Sequence, residues 1–72
     1  MLHTHAGLII QLRIHTGLSY KALARRLGVS DTMLRLICNG QRRIGLRTMK
    51  RLLAEFPDWE KDILRTVLEE AK

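Results

Sequence analysis

The side chains with the most chemistry to offer in this sequence are basic, and they are unevenly placed. Residues 1–51 hold ten lysines and arginines (Arg13, Lys21, Arg25, Arg26, Arg35, Arg42, Arg43, Arg47, Lys50 and Arg51) against one acid, Asp31, a balance of +9. Residues 52–72 carry three bases against six acids, a balance of −3. A block this basic attracts polyanions, because neutralised phosphates release the counterions condensed around them. Ser19 and Ser30 add a second means of holding an anion. Each precedes a run of helical periodicity, where a serine caps the first turn and the helix start offers free N–H groups to a phosphate oxygen.

Other chemistries find less support. No nucleophile–base pair, paired carboxylates or phosphate-cradling glycine loop falls at a workable spacing. A chain of 72 residues could hardly enclose a pocket, so no enzyme activity, small-molecule substrate or cofactor is expected. His3, His5 and His15 raise the question of a metal. No cysteine or acid joins them at ligand spacing, and the first two stand near a terminus expected to fray. Cys38 is the single cysteine, so an internal disulfide is impossible and a reducing, cytoplasmic setting is expected. A small buried or edge residue is the expectation for its side chain. The longest apolar run, Leu8-Ile9-Ile10, is far short of the ~20 residues of a membrane span, and Met1 to Thr4 show no secretory pattern.

The elements that position the basic residues are helices. A single proline and few β-branched residues argue against a sheet, and apolar residues recur at steps of three and four. A first helix is expected from about His5 to His15, capped by Thr4, stopped by Gly17, with Leu8, Ile9 and Leu12 inward. A second runs from Tyr20 to Leu27 behind Ser19, and Gly28 ends it with positive φ. Val29 turns inward, Ser30 caps a third helix from Asp31 to Cys38, and Asn39-Gly40 stops it. After a basic loop at 41–45, a fourth helix spans about Leu46 to Phe56 with Met49, Leu52, Leu53 and Phe56 buried. Pro57 closes it, and Asp58 is expected to cap a fifth helix from Trp59 to about Ala71. The stripe Trp59, Ile63, Leu64, Val67, Leu68 and Ala71 gives that helix one broad apolar face. The whole chain, 1–72, is expected to form one all-α domain of modest stability, since chains of about 60 residues bury only about 60% of their unfolded surface.

Within this array the stretch 23–30 has a particular shape. A helix ends at a glycine, three residues turn the chain, and a capped serine starts the next helix. Ala24 is small where the two must approach, while Leu34 and Ile37 can fill the angle between them. This is the pattern of a helix-turn-helix, spanning about 20–38, and a helix protruding from it fits a major groove.

The segment Gly17-Leu18-Ser19-Tyr20-Lys21-Ala22-Leu23-Ala24-Arg25-Arg26-Leu27-Gly28-Val29-Ser30, with Leu34, Ile37 and Asn39-Gly40, resembles the phage-repressor and Cro-like (XRE) DNA-binding domains over about residues 5–56. The resemblance implies a five-helix, lambda-repressor-like fold that binds double-stranded DNA, usually as a homodimer, and acts as a transcriptional regulator of repressor type. It places Ser30, Asp31, Thr32 and Leu36 at base-facing positions of the recognition helix. It places Arg13, Tyr20 and Asn39 on the phosphate backbone, and Arg42 and Arg43 in a loop that grips phosphates beside the half-site. A nucleoid-associated location goes with such a role.

The sequence departs from the family's pattern at three places. Tyr20 replaces a usual glutamine, Cys38 stands where many members carry a glutamate that pairs with the arginine matching Arg13, and Met33 and Leu36 make the third helix unusually apolar. Without the glutamate, Arg13 is expected to be freer to contact DNA. Leu36 can touch a thymine methyl or a protein partner. Arg35 can fork onto guanine or hold a phosphate, and Asp31 can accept from cytosine N4 or complement the helix dipole. Arg25 and Arg26 can face away from DNA. Leu2, Ile10 and Ile14 exceed what the core needs, so the fifth helix either folds over the first or joins it in a twofold interface. The alternative function is a protein-interaction or antitoxin-type module on the same fold, with weak or nonspecific DNA binding.

Overall fold

A computed structural model describes residues 4–70. Five α-helices follow one another: α1 (His5–Thr16), α2 (Tyr20–Leu27), α3 (Asp31–Cys38), α4 (Leu46–Glu55) and α5 (Glu60–Glu70), with a 3-10 turn at Pro57–Trp59 before the last. Each of the first three helices starts at a hydroxyl that accepts a backbone N–H. Thr4 accepts from Gly7 at 2.9 Å, Ser19 from Ala22 at 3.1 Å and Ser30 from Met33 at 3.0 Å. These bonds satisfy donors that the helix itself leaves open. Gly28 stops α2 at φ 71°, a conformation costly for any residue with a Cβ.

The core lies where α1, α2, α3 and α4 converge. Leu12, Leu23, Leu34 and Leu52 are fully buried and come from four different helices. α5 packs against both α1 and α4. Of the two arrangements open from sequence, the folded-back helix is therefore the one observed within the single chain. Ile63 and Val67 carry its inward face, and Trp59 and Leu64 are half-buried against the same core.

Several boundaries and burials differ from expectation. α1 runs one residue further, to Thr16, whose hydroxyl donates back to the Leu12 carbonyl at 2.8 Å. α4 ends at Glu55 with Phe56 as its cap, and Asp58 lies inside the 3-10 turn instead of capping α5, which begins at Glu60. Proline tolerates the first position of a turn, so Pro57 starts the tight turn as well as ending α4. Leu53 is half-buried and Leu68 is 51% exposed, whereas Thr66, a residue outside the apolar stripe, is fully enclosed. His5 is buried, not frayed. Leu2, His3 and Ala71 lie outside the described residues. Among the described residues no helix is long and apolar enough to cross a membrane.

Candidate nucleic-acid interface

α2 packs against α3, and Ala24, Leu34 and Ile37 are all buried in the core that they share. Beyond Gly28, the Val29 N–H donates to the Ala24 carbonyl at 3.0 Å, and the Gly28 N–H to Arg25 at 3.2 Å. The turn is thus closed by backbone bonds before Ser30 opens α3. With Leu34 and Ile37 committed inward, the other side of α3 faces solvent. Ser30, Thr32 and Arg35 are exposed there, and Asp31, Met33 and Leu36 are half-buried.

The side chains expected on phosphates are grouped around that helix. Ser19 and Tyr20 stand at the start of α2, and Tyr20 is the centre of a compact cluster. The Arg13 guanidinium carbon lies 4.3 Å from the centroid of its ring and that of Arg35 lies 5.6 Å from it. Attraction between a guanidinium and an aromatic face accounts for both contacts. The missing glutamate therefore does not leave Arg13 loose, because Tyr20 takes up its guanidinium. Cys38 is half-buried beside this cluster. Burial pushes its thiol up, while the nearby Arg13 charge and a hydrogen bond with Tyr20 act in the opposite direction.

Asn39 is exposed beside the same cluster, and Arg42 and Arg43 project from the loop that follows. That loop is held at three points. The N–H groups of Gln41 and Arg42 donate to the Leu36 carbonyl at 2.9 and 3.3 Å, and the Ile44 N–H donates to His5 Nδ1 at 2.7 Å. Ile44 itself is buried. An open groove of about 410 Å³ runs between this loop and the start of α3, with Ser30, Met33, Arg42, Arg43 and Arg47 among its lining residues. α4 begins on the same groove at Gly45, without a side-chain cap, so its first N–H groups stay open to solvent or a ligand.

Sequence reasoning missed His5, Ile44, Gly45 and Arg47 as parts of this surface. A buried isoleucine inside a basic loop was the one available signal, since an apolar residue there implies that the loop is pinned to something. Arg26 is directed elsewhere. It bonds Glu55 at 3.0 Å and lies 5.5 Å from the Phe56 ring, tying α2 to α4. Asp31 and Arg35, both expected to face bases, are joined to each other, Arg35 Nε donating to Asp31 Oδ2 at 3.3 Å. His15 packs edge-on against Trp59, with centroids 5.4 Å apart. Among the described residues no group of three or more His, Cys, Asp or Glu side chains could hold a metal ion.

Two short helices set at an angle by a positive-φ glycine, the second outward and flanked by arginines, define the helix-turn-helix class of DNA-binding domain. A family model described as helix-turn-helix matches residues 9–57, from within α1 to just past α4, and the chain belongs to this family. The XRE-like resemblance and the all-α fold stand with that match. The family is one of DNA-binding domains, generally transcription regulators, and not of enzymes. No curated protein and no solved structure matches the chain.

Proposed function

We propose that this chain is a sequence-specific transcriptional regulator of repressor type that inserts α3 into the major groove of double-stranded DNA. The observation that carries this reading is the arrangement around α3: an outward helix with arginines before it, on it and after it. Ser30, Thr32 and Leu36 face base edges, and Leu36 suits a thymine methyl. Arg13, Ser19, Tyr20, Asn39, Arg42 and Arg43 grip the sugar–phosphate backbone and set the register. Met33 packs in part against the core, which reduces the apolar surface left for a protein partner and favours DNA over the interaction-module alternative.

The protein works as a homodimer, its two recognition helices about 34 Å apart on successive major-groove faces. Ile10, Ile14 and Leu68 remain exposed on α1 and α5 after the core is filled, and they support a twofold contact. Occupying an operator in the nucleoid then needs no catalytic group, cofactor or small-molecule substrate.

Selection of bound duplexes from a random library, followed by a gel shift with nonspecific competitor at about 150 mM salt, tests the reading. The expected result is a twofold-symmetric site retained against competitor. Uniform binding to all duplexes would overturn it. Sedimentation tests the homodimer, and a monomer at high micromolar concentration would remove it.

A further inference from the structure

The carboxylate of Asp31 is partly committed within the chain. Its Oδ2 takes the Nε–H of Arg35 at 3.3 Å, and its Oδ1 is enclosed by neighbouring atoms with no hydrogen-bond partner. Arg35 is in turn held from a second side. Its guanidinium lies over the ring of Tyr20, the same ring that carries Arg13. Tyr20, Arg35, Cys38 and Asn39 together line a small open groove of about 130 Å³ where the start of α2 meets the end of α3. The ring and the carboxylate thus fix one face and one edge of the guanidinium, and its two terminal Nη groups are left to contact a ligand.

We infer that Asp31 is a positioning residue and not a base reader: it and the Tyr20 ring hold Arg35 at the edge of α3, where its Nη groups grip a backbone phosphate. The inference rests on the reading of the protein as a DNA binder and reassigns two residues within it. Two guanidiniums, Arg13 and Arg35, converge on one tyrosine, and among the described residues Asp31 alone forms an ion pair with either of them. That excess positive charge suits a phosphate oxygen better than the neutral edge of a base pair. Held from two sides, the Arg35 fork also has less freedom to lose on binding than a loose surface arginine would.

The test uses the full chain, its selected site and random duplex, with affinity measured across a salt series. Arg35→Ala should weaken both DNAs by the same factor and reduce the slope of log K against log salt by about 0.9, the value for one phosphate contact. Arg35→Lys, which keeps the charge, should retain that slope. Asp31→Ala should leave the selected sequence unchanged at every position. It should change affinity about two- to fivefold in the wild-type background and much less in the Arg35→Ala background, as expected of coupled neighbours. Simple repulsion of DNA by Asp31 would persist in both backgrounds.

Loss of a guanine preference in Arg35→Ala, loss of a cytosine preference in Asp31→Ala, or additive effects of the two variants would each overturn the inference. Asp31→Asn, nearly isosteric, repeats the cycle if Asp31→Ala unfolds. A wild-type protein that binds duplex DNA without any sequence preference would defeat the operator reading, while the salt slope of Arg35→Ala would still decide the role of Arg35.

Discussion

The Nδ1 of His5 accepts the backbone N–H of Ile44 at 2.7 Å, joining the first turn of α1 to the loop that carries Arg42 and Arg43. The two residues are 39 positions apart, and both are buried. A loop of basic residues is thereby given a fixed floor. His5→Ala removes the acceptor and leaves a buried donor unsatisfied, a loss of about 1–3 kcal/mol. Urea unfolding should show a lower midpoint with the same slope, and DNA affinity should fall as the loop loosens. An unchanged midpoint would show that the bond contributes nothing to the fold.

Ala24 on α2 is almost fully enclosed, and α2 packs against α3. Ala24→Leu adds three carbons to a filled space, and overpacking of this kind costs about 1–3 kcal/mol. The angle between the helices must also open. Thermal unfolding should shift down, and DNA affinity should drop by more than the loss of folded protein explains. Wild-type stability and affinity together would contradict the close packing.

Gly28 holds φ at 71°, and a Cβ built there would meet an Arg51 guanidinium nitrogen at 3.5 Å, an ordinary contact. Backbone strain is therefore the main cost of Gly28→Ala, about 1–2 kcal/mol for the left-handed conformation. The expected result is lower stability with an unchanged selected DNA sequence. A more stable variant would mean that the turn can relax to negative φ.

Arg43 projects from the pinned loop and has no ion-pair partner among the described residues. As a phosphate contact, Arg43→Ala should weaken operator and random duplex alike and flatten the salt dependence by about 0.9. A loss confined to the selected sequence would place Arg43 on a base instead.

Burial raises the Cys38 thiol, so at any pH near neutrality less of it is thiolate than in an exposed cysteine. The thiolate is the reacting form. Alkylation of the folded protein at neutral pH should be slower than that of a free cysteine, and unfolding in urea should restore the ordinary rate. Equal rates in the two states would contradict the burial.

Much of this architecture is legible in the residues because local rules govern it. Thr4, Ser19 and Ser30 cap helices within three residues of themselves, and Gly17 and Gly28 stop helices through their own φ. Leu34 and Ile37 fall one turn apart and must share a face. Pro57 illustrates the limit of such rules. It marks the end of α4 from sequence, but only the geometry of the following turn shows that α5 starts at Glu60 and not at Trp59.

The side chains of the interface divide along the same line. That α3 projects, and that arginines surround it, follows from residue order and charge alone, because capping and apolar spacing act over a few residues. How several of these arginines are held was decided by neighbours from other elements of the fold. Arg26 is tied to Glu55, Arg13 and Arg35 both lie against the Tyr20 ring, and His5 holds the loop of Arg42 and Arg43 from the far end of the chain. Long cationic side chains settle on whichever ring, carboxylate or carbonyl the folded chain brings within reach. Spacing along the sequence does not record that distance, and the tertiary structure does.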